Sequence, residues 1–489
     1  MGRRRPLLQS KFFWVAVLYF SEGFPLGMFY EIFPVYFRQQ GIDLKSIGVL
    51  SLLGLAWTIK FLWAPAVDYW RHHRLWMAAA DLAMGAVMIA FAAQAGFGAW
   101  VWLLIGIFAL LSATNDIAID GYTIELLDQD ELGRGNGLRI GFYRVGMITS
   151  GVVLMASDYL GWRGAFLGAA ALFALCAGAC LAAPREQPRP PSARAHPGRE
   201  LRAILRQPRV LGAMLLLVLG TLWLIDGAAH WSQHVPGFWA GASIAAAAAL
   251  FALLFLARRN GAARENAPPE LANGAVFGAL SDLARRIGGG PLVGFILLFK
   301  LGDSSMGFMV KPFWVDAGFT AAEIGLVSVN IGLVLSIAGG LAGGWYADRA
   351  GLFKSLWVLG LAQALSNLGY ALAAWQIPLH GIPLTEHRAL LYSASALESF
   401  TGGLGTAAFL AFLMAIVRRE HSAAEYALLS SIFAASRSIA GWAGGVGAQE
   451  MGYAPYFLLT FFLSFPAYAL LPWVRDMLQC SARRVDGAS

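Results

Sequence analysis

Residues 12–37 read FFWVAVLYFSEGFPLGMFYEIFPVYF. The run is long enough to cross a bilayer, which takes about 20 mostly apolar residues, yet Glu22 sits inside it. A charge at that depth is costly and marks a functional position by default. The arrangement returns 281 residues later, where 291–313, PLVGFILLFKLGDSSMGFMVKPF, places Asp303. Asp68 at the end of the second apolar run recurs as Asp348 after 280 residues. Asp116 and Asp120 of the fourth run are followed by Glu398 after 282 and 278, and Arg144 of the fifth by Arg437 after 293. Four polar positions in one order at nearly one offset imply two repeated six-span halves. In that plan a solute site lies between the halves near the midplane.

The remaining chain supports this reading. Only 13% of the 489 residues are charged and 58% are hydrophobic, whereas soluble domains carry about 25% charged residues. A soluble or disordered chain is thereby excluded. Apolar runs fall at 12–37, 46–68, 75–95, 99–126, 137–158, 161–183, 210–230, 237–257, 291–313, 323–347, 355–375, 388–417, 425–449 and 453–474. The expected fold is an all-α membrane protein with two six-helix bundles plus two extra central helices, about 14 spans. The expected organisation is an N-terminal bundle (1–183), a Pro- and Arg-rich linker (184–209), two added spans (210–257), a connector (258–290), a C-terminal bundle (291–476) and a tail (477–489). Leu271, Val276, Phe277, Leu280 and Leu283 of the connector suit one face of a surface helix. With both termini placed inside, the outside loops hold only Arg38, Lys45, Arg163 and Arg388 of the 36 Lys and Arg, which matches the positive-inside rule.

Enzyme, metal and nucleic-acid readings find no support. The sequence has no phosphate-binding G-x-x-x-x-G-K-S/T, no H-E-x-x-H and no G-x-S-x-G, and neither the three cysteines nor the eight histidines show metal-ligand spacing. No cofactor is expected. Transport by such a chain would draw on an ion gradient or on the solute's own gradient.

Residues 344–354, GWYADRAGLFK, match the G-x-x-x-D-R-x-G loop of the major facilitator superfamily at Gly344, Asp348, Arg349 and Gly351, with a weaker copy at Asp68 and Arg71. The chain further resembles AmpG-type muropeptide permeases in GIDLKSIGVLSLLGLAWTIKFLWAPAVD (41–68), SATNDIAID (112–120), GFYRVGM (141–147), LLFKLGD (297–303), QALSNLGY (363–370), ESFTGGLGTAAFLAFLM (398–414) and SAAEYALLSS (422–431). DIAIDGY and WAP also resemble the related acetyl-CoA transporters. The resemblance implies alternating access, no enzymatic activity and proton-driven import of anhydro-muropeptides across the bacterial inner membrane. Its partners would be a small sugar-peptide solute, protons and the lipid bilayer, without nucleic acid. Asn115 stands where the family often has Gln, so another bulky anionic solute, an acyl-CoA or a pterin, stays open. So does a membrane sensor that moves nothing.

The intramembrane charges are the site candidates. Asp116 and Asp120, at i and i+4, share one helix face, and neighbouring carboxylates oppose double ionisation, which suits proton coupling. Glu22, Lys60, Lys300, Asp303 and Glu398 join them as coupling or solute candidates. Arg144 and Arg437 suit a bidentate grip on carboxylate or phosphate, although burial against Asp116, Asp120 or Glu398 is the alternative. Asn115, Asn330, Gln363 and Asn367 are candidate partners for sugar hydroxyls. Asp68, Arg71, Gly344, Asp348, Arg349 and Gly351 are the expected gating loop. Glu31, between Pro25 and Pro34, has no assigned role.

Overall fold

In the computed structural model, residues 10–60, 63, 64, 67, 72–94, 98–127, 131–186, 290–377, 387–416, 422–475 and 478 are described. They are helical throughout, because in an apolar medium only a helix satisfies every backbone N–H and C=O within its own segment. The first half comprises α1 (Lys11–Gln39), α2 (Leu44–Ile59), α3 (His73–Ala93), α4 (Ala99–Leu126) and the pair α5 (132–160) and α6 (162–182). The second comprises α7 (Leu292–Asp316), α8 (Ala321–Ala350), α9 (Leu352–Gln376), α10 (Arg388–Ile416), α11 (Ser422–Met451) and α12 (Tyr453–Arg475). Nine stretches among the described residues are long and apolar enough to span a bilayer. One of them is the α5–α6 hairpin. The expected spans at 210–230 and 237–257, the connector, the tail and most of the linker lie outside the described residues.

The repeat is visible in the backbone. The α5–α6 turn is made at Gly161 (φ 68°, ψ 170°) and the α11–α12 turn at Gly452 (φ 79°, ψ 164°), an extended positive-φ conformation open essentially to glycine alone. Gly41 (φ 77°) ends α1 as Gly318 (φ 84°) ends α7. Two helices widen locally into π turns, Met28–Ile32 in α1 and Ile324–Ile331 in α8. The first lies just before Pro34, which has no N–H to give the preceding turn.

Each half has an aromatic interior. Phe33, Phe91, Phe108, Phe166 and Phe173 fill the first, and Phe295, Phe299, Phe409 and Phe412 the second. Trp100, Leu175, Leu341 and Trp375 instead turn outward, 70–81% exposed, which suits a lipid-facing rim. The halves meet where α2 crosses α11 and α5 crosses α8. Both crossings are glycine contacts: a Cβ on Gly48 would stand 2.9 Å from Gly445 Cα, and one on Gly325 would stand 2.6 Å from the Gly151 carbonyl. Small residues allow such close backbone approach.

Candidate functional site

In the first half, α1, α2, α4 and α5 bring an acid centre together. Glu22, Asp116 and Asp120 offer oxygens within 4.8 Å of one another. Lys60 pairs with Asp116. Arg139 pairs with Asp120 at 3.1 Å, and Tyr19 donates its hydroxyl to Asp120 at 2.8 Å. Arg139 also lies over the Tyr19 ring, 5.1 Å from its centroid. Three carboxylates thus face two cations. Glu22 is the one without its own cation, and its Oε2 is buried with no hydrogen bond. An ionised carboxylate in that setting is expensive unless paired, so the centre has room for one more positive charge.

The second half repeats the plan. Lys300, at the break in α7, pairs with Asp303 at 3.0 Å. Glu398 of α10 lies alongside: a Cβ on Gly402 would stand 3.7 Å from Glu398 Oε1 and 3.9 Å from Asp303 Oδ1. Ser399 donates to Glu398 at 3.3 Å. In each half an acid of the first helix faces an acid of the fourth, as the offset near 280 residues requires.

Arg144 of α5 and Arg437 of α11 point toward each other's field from opposite halves. Arg437 lies over the Tyr30 ring at 4.7 Å. Each arginine is within electrostatic reach of Tyr143, and Arg144 feels both Arg437 and Glu31. Neither forms an ion pair among the described residues. Asp116 and Asp120 are taken instead by Lys60 and Arg139, and Asp303 by Lys300. Two guanidinium groups without a carboxylate leave ten N–H donors and two charges for an anion between the halves.

Charge contacts between the halves gather toward one end. Arg38 pairs with Asp316, Lys45 with Glu450, and Lys311 with Glu31 at 2.9 Å. The Ala322 amide donates to Asp158 at 2.6 Å and the Leu44 amide to Gln449 at 3.0 Å. The end with the α1–α2 and α7–α8 turns is closed by these bonds. At the opposite end Asp348 and Arg349 are exposed, with Arg349 over Trp345 at 4.4 Å, and Gly351 makes the α8–α9 turn at φ 83°. Gly344 has open space around it. Asp68 and Arg71 lie outside the described residues.

The uncharged candidates sit within helix contacts. Asn115 is fully buried and donates to Asp81 at 3.1 Å, a carboxylate also bonded by Ser21 at 2.9 Å. Asn367 donates to Thr460 at 3.2 Å, Gln363 packs onto Gly405, and Asn330 lies at the α5–α8 crossing against Gly151. Arg139, Asp81, Lys311, Arg38 and Asp316 were absent from the sequence candidates. Lys311 had a signal, being a lysine in the same apolar run as Asp303. Arg139 fell at the edge of its run, and Arg38 read as a loop charge.

A family model described as Major Facilitator Superfamily matches residues 15–236. Two helical bundles joined through α2–α11 and α5–α8, each with its own charged centre, have the fold of the major facilitator transporters, and the family match and permease relatives indicate a membrane transporter rather than an enzyme. Among individual proteins, the chain is 27% identical over 479 residues to the anhydromuropeptide permease of Escherichia coli (strain K12), covering 95% of this chain and 80% of that one. It is 27% identical over 476 residues to an uncharacterized protein of Haemophilus influenzae, covering 94% and 93%. Of solved structures, a bacterial homologue of the human lysosomal transporter Spinster superimposes with TM-score 0.65 at 11% identity, covering 98% and 99%. A POT family transporter bound to a conjugated peptide gives 0.63 at 12%, covering 96% and 96%. These two share the fold.

Proposed function

We propose that the protein is a proton-coupled importer of anionic sugar-peptides of the anhydromuropeptide type, working by alternating access in a bacterial inner membrane with both termini in the cytoplasm. One observation carries the reading: Arg144 and Arg437, one from each half, face the interface without a carboxylate. A carboxylate bound there contacts both halves at once, so its binding energy differs between the open states, as a carrier requires. The name of the Escherichia coli relative supplies the solute class. The distribution of Lys and Arg supports the orientation, and the closed end then faces the periplasm.

Proton coupling is assigned to the first-half centre. Glu22 is the carboxylate there without a cation. A proton on it brings three acids and two bases to neutrality, and rearrangement of Lys60 or Arg139 during rocking changes its affinity for that proton.

Proteoliposomes test this. Labelled anhydromuropeptide accumulates under an inward proton gradient, and the accumulation collapses with a protonophore. Absence of uptake overturns the solute assignment, and uptake of an acyl-CoA or pterin in its place selects the second anionic reading. Binding without flux identifies a sensor.

A further inference from the structure

Glu31 and Lys311 belong to neither acid centre, and the sequence assigned them no role. Lys311 of α7 stands 2.9 Å from Glu31 of α1. It also donates to the Ser328 hydroxyl at 2.7 Å and the Ser328 carbonyl at 3.3 Å. Both of its partners lie in π turns, Glu31 in Met28–Ile32 and Ser328 in Ile324–Ile331. Such turns shift side chains out of the helical register and recur at functional sites. Lys311 is 8% exposed, and Glu31 Oε2 is buried without a well-directed hydrogen bond. Charge alone holds that carboxylate oxygen.

The neighbours of the pair decide its meaning. Glu31 lies within electrostatic reach of Arg144, and Lys311 within reach of Glu398. Tyr370 faces both Glu398 and Glu31. Tyr30, next to Glu31 in sequence, carries Arg437 on its ring. Glu31 is therefore a carboxylate bound to Lys311 and within electrostatic reach of Arg144, with Arg437 on the ring of the preceding residue.

We infer that Glu31 is an internal competitor for the solute's anionic group and that Lys311 is the third cation of the anion site. This deepens the anion-transport reading and rests on it. In the unloaded protein Glu31 occupies Lys311. A solute carboxylate takes Lys311 over beside Arg144 and Arg437 and releases Glu31. An uncharged analogue has nothing to exchange for Glu31, so the pair selects for anionic solutes. Release of Glu31 also removes a charge bridge between α1 and α7, which links loading to the loosening of the closed end.

Ligand binding to the purified full-length protein tests this, with an anhydromuramyl tripeptide and the same compound amidated at its carboxylates as probes. The wild type binds the carboxylate form about tenfold tighter or more. Glu31→Gln tightens the carboxylate form by about threefold or more and leaves the amide unchanged. Lys311→Gln leaves Arg144 and Arg437 in place and narrows the preference for the carboxylate form by about threefold or more. The exchange Glu31→Lys with Lys311→Glu keeps the interhelical bridge, guarding against misfolding of the single variants, and narrows the carboxylate preference as well. A preference undiminished in Lys311→Gln and in the exchange overturns the assignment alone. Failure of the wild type to bind either form overturns the transport reading and the assignment with it.

Discussion

Arg38 grips Asp316 with two parallel bonds, Nε to Oδ1 at 2.5 Å and Nη2 to Oδ2 at 2.7 Å. Tyr453 donates its hydroxyl to the same carboxylate at 2.7 Å. The last turn of α1 is thereby tied to the last turn of α7 and the first of α12. Bonds to charged groups contribute about 1.5–3 kcal/mol each when well placed, and partial exposure of Arg38 lowers this. Asp316→Asn keeps the shape and removes the charge, so the closed end should open more often, by about tenfold. Ala448, 2% exposed beside this contact, reports it: as Ala448→Cys in a cysteine-free background, its maleimide labelling should rise with Asp316→Asn. Unchanged labelling would show that the contact does not hold this end shut.

The glycine crossings predict a second pattern. A Cβ on Gly48 meets Gly445 Cα and the Trp442 carbonyl, both at 2.9 Å, and one on Gly325 meets the Gly151 carbonyl at 2.6 Å. Backbone cannot swing aside as a side-chain tip does, so α2 and α11, or α5 and α8, must separate. Gly48→Ala and Gly325→Ala should each cost about 1–3 kcal/mol and lower the Tm in detergent. Gly168 and Gly178 of α6 have open space, and alanine there should leave the Tm level or raise it, since alanine favours helix by about 1 kcal/mol. Equal losses at all four positions would contradict the packing argument.

Much of this architecture was legible in the sequence because the bilayer makes each intramembrane charge conspicuous. Glu22, Asp116, Asp303 and Glu398 stood out at matching offsets, and the structure places each α1 or α7 acid against its α4 or α10 partner. What one-dimensional spacing does not carry is which cation meets which acid. Arg139 takes Asp120 although Arg144 is the more central arginine, because five residues along a helix turn the two side chains to different faces. The interhelical bond of Asn115 to Asp81 was hidden for the same reason: a polar residue facing a cavity and one facing a neighbouring helix have identical spacing.

Glu22 leads to a prediction that separates coupling from solute handling. As the acid of its centre without a cation of its own, it can be neutralised without stranding a base. Glu22→Gln should abolish proton-driven accumulation and retain solute exchange across the vesicle membrane. Asp116→Asn strands Lys60 and should impair both, since breaking a buried pair costs about 3–5 kcal/mol. If accumulation persists in Glu22→Gln and also in Asp116→Asn and Asp120→Asn, protons are carried elsewhere.

The arginine pair gives the sharpest test, because function and stability there pull in opposite directions. Arg144 and Arg437 lie in each other's field and neither forms an ion pair among the described residues, so in the unloaded protein each disfavours the other. Residues kept for binding at the expense of stability are a common feature of functional sites. Arg144→Gln removes one charge and should leave the ligand-free Tm unchanged or higher, while binding of an anionic muropeptide weakens by about 10–100-fold, the loss of one or two charge-assisted bonds. Arg144→Lys keeps the charge and loses the planar fork, so it should fall between the two. Tyr30→Leu removes the ring beneath Arg437 and should weaken binding less than Arg437→Gln does, because the charge stays. Thermal unfolding with and without ligand measures both quantities in one experiment. A ligand-free Tm that drops sharply in Arg144→Gln would mean that this arginine holds the fold together, and the anion site would then have to be sought elsewhere.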